Sequence, residues 1–314
     1  MDNLKEIEKK AKTKTKSFIL IGLVLWMGFL FFFLNQSRHE QSLVFAKILP
    51  TGWVPTPPDF LIKVNDTALI DPNIDPIRYI VDSTDFKYDS SKVNNSSFSL
   101  RQYAPPVMSQ GQLGSCVAWA STYAGLTIVK RIESNNINFE PFSPLNLYVR
   151  YKKIFRESPC NSGAIIPVAL NILKQKGCNL FKNFPNRCDG IVSEKMEFKD
   201  KLYDFDGIDR NEVIKIKSAI TAQIPVVIGI NCYSGDDWKN AVLDDGVWSG
   251  YYSGTVDGGH AMCLIGYDDN KGGGSFEIMN SWGKEWGDKG FFWIKYADFA
   301  KHVDECYALI PNKN

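Results

Sequence analysis

The chain has 314 residues, enough for one large domain or two modest ones, and 44% of them are hydrophobic, which supports a packed core. Lysine and arginine number 36 against 35 aspartates and glutamates, for a formal net charge of +1. This balance argues against a nucleic-acid-binding protein, because binding to phosphates needs a surplus of positive charge. Only three histidines are present for chemistry that needs an imidazole: His39, His260 and His302.

An apolar run at residues 18–34 (FILIGLVLWMGFLFFFL) contains no charged residue, and six lysines lie within residues 1–16. As a helix this run spans about 25 Å, close to the thickness of a bilayer core. The sequence therefore predicts a transmembrane anchor at 18–34 that follows a cytoplasmic tail, residues 1–17. By the positive-inside rule the rest of the chain is expected outside the cytoplasm. The alternative is a signal peptide whose cleavage would yield a secreted protein.

Residues 35–98 are expected to form a linker or lead-in segment. Residues 51–60 (TGWVPTPPDF) are rich in proline, which predicts an extended chain. Asn, Asp and Ser crowd residues 82–98, which predicts a loop. From residue 99 to residue 314 the pattern is that of a globular domain.

The globular part reads as helices followed by strands, an α+β pattern. Residues 116–132 (CVAWASTYAGLTIVKRI) are apolar on nearly every face, which predicts a central buried helix. Residues 165–176 predict a second helix that ends at Gly177, and a capping box at 209–212 predicts a third over 210–222. The periodicity then changes, and four strands are predicted: 225–232, 260–267, 275–279 and 290–296.

Seven cysteines are present, and an odd number suggests one free thiol and up to three disulfides, whose pairing the sequence does not fix. None of their spacings is typical of a zinc site. We therefore expect neither a metal nor another cofactor.

Cys116 follows a glycine-containing loop, Ser109–Ser115, and begins the predicted central helix. The positive end of a helix stabilises a thiolate, which is the reactive form of cysteine. The N–H groups of the first turn have no partner within the helix, so they can also receive a developing oxyanion. For an isolated cysteine the alternative, a buried structural residue, would be favoured.

Three further residues complete a possible catalytic set. His260 follows two glycines that leave its imidazole accessible, and Asn280 ends a strand, where its amide oxygen can orient that imidazole. Gln110 precedes the cysteine by six residues and can donate to an oxyanion. Taken singly, these residues would be interpreted as a core histidine, a turn and a surface amide.

Jointly the four residues form a nucleophile, a base, an orienting group and an oxyanion donor. Gln110 and Cys116 belong to the helical half, at about 110–222, whereas His260 and Asn280 belong to the β-rich half, at about 223–314. This division predicts an active-site cleft between two lobes.

Three segments of the chain resemble the signature regions of papain-like cysteine peptidases: QGQLGSCVAWA, GGHAMCLIGYD and IMNSWGKEWGDKGFFWI. The resemblance covers about residues 99–310 and implies the papain-like two-lobe fold, a helical lobe and a β-barrel-like lobe. It also implies the roles given above for Cys116, His260, Asn280 and Gln110. The lead-in segments TGWVPTPPD and SLRQYAPPV resemble those of bacterial members.

The same resemblance implies substrate-binding residues. Cys160–Gly163 (CNSG) resembles a segment whose last glycine hydrogen-bonds the substrate backbone. Gly229 and Ala261 are expected near the specificity pocket, and Trp282 is also assigned to substrate binding.

The chain departs from the family pattern in several places. Leu113 stands where members have a cysteine, Val117 stands where they have Trp, and the partner expected for Cys306 is absent. The disulfides of the family therefore cannot be carried over. The helical inhibitory propeptide is also missing, so we expect the soluble part to be active without cleavage, unless residues 50–60 lie across the cleft.

The sequence thus predicts an endopeptidase that acts on peptides or proteins through an acyl-enzyme on Cys116. A thiol-dependent acyl transferase or ligase would use the same residues. A non-catalytic binding module on the same fold is a further alternative.

Overall fold

A computed structural model describes residues 52–56, 86–154, 162–184, 188, 198–233, 246–248 and 254–312. All of them belong to one unit, Pro50–Asn314. The predicted anchor and most of the predicted linker lie outside the described residues. Among the helices within them, none is long and apolar enough to cross a membrane.

The central helix predicted at 116–132 is present as three continuous segments: α1 (Cys116–Ala118), a π-helical segment (Trp119–Leu126) and α2 (Thr127–Glu133). Every residue from Cys116 to Leu126 is buried, which is why the sequence is apolar on all faces. Thr127 Oγ1 donates to the carbonyl of Thr122, five residues earlier, at 3.2 Å. Such a bond satisfies a carbonyl within the widened π turn.

The second predicted helix is confirmed as α4 (Ile166–Lys176). It ends at Gly177, which adopts a φ of +67° and donates its N–H to the carbonyl of Leu173. The sequence analysis missed the helix before it, α3 (Pro144–Ile154), in which proline occupies the first turn, where its missing N–H costs nothing.

The predicted capping box at 209–212 is wrong. The Asp209 carboxylate accepts from the N–H of Asn211 at 2.8 Å, which forms a separate turn. The helix, α5 (Val213–Thr221), begins only after Glu212, which makes no side-chain cap.

Eight strands form one sheet in the order β2-β8-β3-β5-β6-β7-β4, and β1 pairs with β5. The pairs are antiparallel except for β4 with β7. The strands are β1 (Ser97–Ser99), β2 (Asp204–Gly207), β3 (Val226–Tyr233), β4 (Val247–Trp248), β5 (Val256–Asp268), β6 (Ser275–Met279), β7 (Phe291–Lys295) and β8 (Val303–Ile310).

The four predicted strands correspond to β3, β5, β6 and β7. Three of the missed strands, β1, β2 and β4, are two to four residues long, too short for a periodic pattern. The fourth, β8, is eight residues long, and Asp304 and Glu305 interrupt its apolar run. The missed helix α6 (Tyr296–His302) follows β7 directly.

The division of the chain at residue 222 does not match the sheet. Strand β2 comes before that residue and pairs with β8, and α5 packs against β1, β3 and β5. The sheet lobe therefore begins earlier in the sequence than predicted. A buried cluster around α1, α3 and α4, which includes Val117, Tyr148 and Ile166, extends to Val227 and Leu309 of the sheet.

The cysteines differ from the expectation of a single free thiol. Cys188 is disulfide-bonded. The thiols of five others, all buried, are reduced, which leaves room for one pair: Cys116, Cys178, Cys232, Cys263 and Cys306.

Candidate active site

Cys116 begins α1 and is fully buried. Burial raises the pKa of its thiol to about 12, although three backbone N–H groups, from Ala261, Val117 and Cys116 itself, act in the opposite direction. The first-turn donors expected from the sequence are therefore present at the sulfur. In this conformation exclusion of water outweighs them and favours the neutral thiol.

His260 and Asn280 are brought together by two neighbouring strands. His260 lies within β5, and Asn280 directly follows β6, whose last residue Met279 pairs with Cys263 of β5. His260 Nε2 lies 2.8 Å from Asn280 Oδ1. That contact makes Nε2 the N–H donor of a neutral imidazole and leaves Nδ1 as the basic atom.

The other imidazole nitrogen, His260 Nδ1, is buried and makes no hydrogen bond to the described residues. Burial lowers the pKa of His260 to about 4, against a smaller opposing effect of Asn280. The indole of Trp282 stacks on the imidazole, with ring centroids 4.5 Å apart and planes 23° from parallel. Trp282 thus covers one face of the imidazole.

The two lobes meet at the thiol. The N–H of Ala261, the residue after His260, donates to Cys116 Sγ at 3.3 Å. Cys116 of the helical lobe and the segment of the sheet lobe that carries His260 are therefore in direct contact.

Gln110 is fully buried and held at both ends of its amide. Its Nε2 donates to the carbonyl of Leu113 at 2.8 Å, and its Oε1 accepts from the Ser281 hydroxyl at 2.6 Å. The Gln110 N–H also donates to the Ser281 carbonyl at 2.8 Å. Ser281, which the sequence analysis did not single out, thus ties the glutamine loop to the residue after Asn280.

Residues 52–56, here called the strap, lie between the lobes. Gly52 N and Trp53 N both donate to the carbonyl of Gly259 at 3.0 Å. On the other side Ala164 N donates to Gly52 O at 2.7 Å, and Val54 N donates to Ala164 O at 3.0 Å. The strap therefore occupies main-chain positions on both sides of the cleft. In this arrangement the sequence analysis did not expect the uncleaved protein to be active.

The side chain of Trp53 fills a pocket beside Cys116 and Ala261 and is 3% exposed. A Cβ placed on Gly229 would lie 2.4 Å from Trp53 Cε2, and one on Gly259 would lie 2.3 Å from Trp53 Cε3. The indole thus rests directly on two glycines, which only residues without a side chain allow. Ala261 belongs to the same buried cluster.

The expected substrate residues have distinct places. Gly229 and Ala261 lie beside Trp53, and their part in substrate binding stays a prediction. Gly163 faces Gly52, with its carbonyl held by the buried Lys152 Nζ at 2.6 Å, but the main-chain bonds to the strap fall on the next residue, Ala164.

The sequence analysis missed Trp53, Ala164 and Glu305, all of which contact or belong to the strap. The hint for Trp53 was an aromatic residue in a proline-rich segment. Within the described part of the chain no group of three His, Cys, Asp or Glu side chains is placed to hold a metal ion.

Both the sequence and the fold are similar to those of known proteins. The sequence profile of the family described as "Papain family cysteine protease" matches residues 94–308. Among solved structures, xylellain, a cysteine protease from Xylella fastidiosa, aligns with a TM-score of 0.61 and 21% identity, covering 84% of this chain and 97% of that one. Bromelain from Ananas comosus, in complex with the E64 inhibitor, aligns with a TM-score of 0.54 and 18% identity, covering 68% and 97%. These similarities show a papain-like α+β fold.

Curated relatives are more similar in sequence. Vignain of Phaseolus vulgaris is 28% identical over 212 residues, which cover 66% of this chain and 55% of that protein. Germination-specific cysteine protease 1 of Arabidopsis thaliana is 26% identical over 204 residues, which cover 64% and 51%. The chain spans about half the length of these relatives.

Proposed function

The chain belongs to the papain family of cysteine proteases, and on that premise we propose that it is a cysteine-type endopeptidase. The observation that carries the proposal is the joint burial of Cys116, His260 and Asn280 at one site. His260 and Asn280 are 2.8 Å apart, and the residue after His260 touches the thiol. A structural cysteine would need neither an oriented histidine nor a contact with the opposite lobe.

The reaction begins with transfer of the thiol proton of Cys116 to His260 Nδ1, the imidazole nitrogen without a partner among the described residues. The sulfur then attacks the carbonyl carbon of the scissile bond. His260 returns the proton to the leaving nitrogen as the C–N bond breaks, which leaves an acyl-enzyme. Water, deprotonated by His260, releases the acid product and restores the thiol.

Asn280 and Gln110 have supporting roles in this proposal. Asn280 accepts the Nε2 proton and holds the ring so that Nδ1 remains available to the sulfur. The side-chain amide of Gln110, which donates to the Leu113 carbonyl in this conformation, is assigned to the oxyanion together with the N–H of Cys116.

The strap makes the described conformation a closed one. Substrate needs the main-chain positions that Gly52, Trp53 and Val54 occupy at Gly259 and Ala164. We therefore propose that the strap must leave, by displacement or by cleavage, before the enzyme turns over.

Labelling with a peptidyl epoxide tests the assignment. Full-length protein with Trp53→Ala, designed to open the strap, is compared with the same protein carrying Cys116→Ala or the matched control Cys263→Ala, a second buried thiol. Label and hydrolysis should be lost with Cys116→Ala and retained with Cys263→Ala. Turnover by the Cys116→Ala protein would refute the nucleophile, and products with new amide bonds in place of hydrolysed ends would indicate an acyl transferase.

We also propose that residues 18–34 anchor the protein in a membrane with the N-terminus cytoplasmic and the peptidase domain extracytoplasmic. The uncharged run and the preceding lysines support this proposal. Disulfides typical of an oxidising compartment support it less than expected, since Cys188 is the only disulfide-bonded cysteine among the described residues.

An impermeant thiol reagent or protease added to intact cells, with the outer membrane permeabilised where there is one, tests the orientation. The domain should be reached and should remain in the membrane pellet at high salt. Protection would contradict the orientation, and a soluble form beginning after residue 34 would indicate secretion.

A further inference from the structure

The pocket that holds Trp53 has a carboxylate in its wall. Gly229 of β3 pairs directly with Ala261 of β5 on one side and with Glu305 of β8 on the other. Residues directly opposite one another share a face of the sheet. Because a Cβ on Gly229 would point into the Trp53 ring, this row of three residues faces the pocket.

In the closed conformation the carboxylate of Glu305 is hydrogen-bonded to the strap. It accepts from the hydroxyl of Thr56 at 3.0 Å and also from the Thr56 N–H. Burial raises the pKa of Glu305, Asp304 adds to this effect, and the hydrogen bonds from Thr56 oppose it. Among the described residues no cation pairs with it, while Asp304 pairs with Arg210.

Departure of the strap would remove these donors together. It would leave an acidic side chain in an otherwise apolar pocket, next to the thiol, with no partner among the described residues. An apolar substrate side chain would cover this carboxylate without satisfying it, which is unfavourable. A long cationic side chain would lay its apolar stem along the glycines and place its charge on the carboxylate.

We propose that Glu305 is a specificity-determining residue, which selects peptides with arginine or lysine at the position whose side chain enters the Trp53 pocket. This inference rests on the proposed peptidase function and adds its substrate class. Arginine fits best, because its planar fork donates two parallel hydrogen bonds to one carboxylate.

The test compares two peptide substrates that differ in charge but hardly in shape. In one series of peptides arginine is placed at each position before the cleaved bond in turn. In the second series citrulline takes the same positions. The enzyme is full-length protein with Trp53→Ala, and Glu305→Gln is added to remove the charge. Asp304→Asn is the matched control, because its carboxylate is exposed and already pairs with Arg210.

At one position kcat/KM should be about tenfold to a hundredfold higher for arginine than for citrulline, the range that bonds to charged groups produce. Glu305→Gln should reduce this ratio nearly to one, and Asp304→Asn should leave it unchanged. A ratio near one at every position in an active enzyme would overturn the inference and leave the peptidase assignment intact.

Binding separates the two claims when turnover is absent. The same peptides are titrated by calorimetry into full-length protein carrying Trp53→Ala and Cys116→Ala. Tighter binding of arginine than citrulline, lost with Glu305→Gln, would support the pocket even if the unsubstituted thiol proved inactive. Equal binding of both peptides would overturn it.

Discussion

Replacement of Trp53 by alanine should activate the full-length chain without cleavage. The indole is 3% exposed and lies against Gly229 and Gly259. Loss of a buried aromatic side chain costs roughly 3–5 kcal/mol in a protein core. The main-chain hydrogen bonds of the strap at Gly259 and Ala164 do not depend on this side chain, so we take the lower figure for the lost docking energy.

At about 1.4 kcal/mol per factor of ten, a loss of about 3 kcal/mol lowers the closing constant of the strap about 100-fold. The initial rate of hydrolysis of a fluorogenic peptide should rise by about the same factor as long as the closed form predominates. Mass spectrometry of the protein before and after the assay must show an untrimmed chain.

Val54→Ala is the matched control, because it shortens a neighbouring side chain of the same strap that is 42% exposed. Its rate should change no more than a few-fold. If an intact Trp53→Ala protein hydrolysed peptides within twofold of the wild-type rate, the strap would not be what limits access to the cleft.

Three further predictions concern the same site. Asn280→Ala should slow peptide turnover at least tenfold while thiol labelling persists, since it removes the group 2.8 Å from His260 Nε2; equal rates would reduce it to a turn residue. Gly229→Ala should speed epoxide labelling of the full-length chain, because its Cβ would lie 2.4 Å from Trp53; unchanged labelling would contradict a tight pocket. Lower pH should loosen the strap. Burial in the closed form lowers the pKa of His260 to about 4 from its ordinary value of 6.5. Between pH 6.5 and pH 4 the open form therefore binds a proton at His260 that the closed form does not, and the open form is favoured. Glu305, whose pKa is raised in the closed form, works in the opposite direction as it protonates. Protection of the strap amides from hydrogen exchange, corrected for intrinsic rates, should therefore fall between pH 7 and pH 5, and constant protection would refute the linkage.

The candidate catalytic residues could be picked out from the sequence because each stands in a recognisable local pattern. A cysteine at the start of a buried helix, a histidine after two glycines and an asparagine at a strand end are each visible in a few neighbouring residues. Strand pairing then brings two of them together. Because β5 and β6 are adjacent, His260 and Asn280 approach each other although they are 20 residues apart in the sequence.

The pocket could not be predicted in the same way, because its parts come from four distant segments. Residues 51–60 could be predicted as extended, but a local pattern does not say where an extended segment docks. Glu305 lies in β8, a strand that the sequence analysis missed because Asp304 and Glu305 interrupt its apolar run. Only the pairing of Gly229 with both neighbours shows that this acidic residue faces the pocket.

The protonation state of the catalytic pair follows from the same closure that blocks the cleft. Burial raises the pKa of Cys116 and lowers that of His260, and both shifts oppose the thiolate–imidazolium pair that peptide hydrolysis needs. The groups that favour ionisation, which are the backbone N–H donors at the sulfur and the amide of Asn280, are already in place. What the closed form lacks is therefore water at both residues and a hydrogen bond between the Cys116 thiol and His260 Nδ1. An opened strap admits solvent to both residues, so one event would free the binding positions and restore the reactive ion pair.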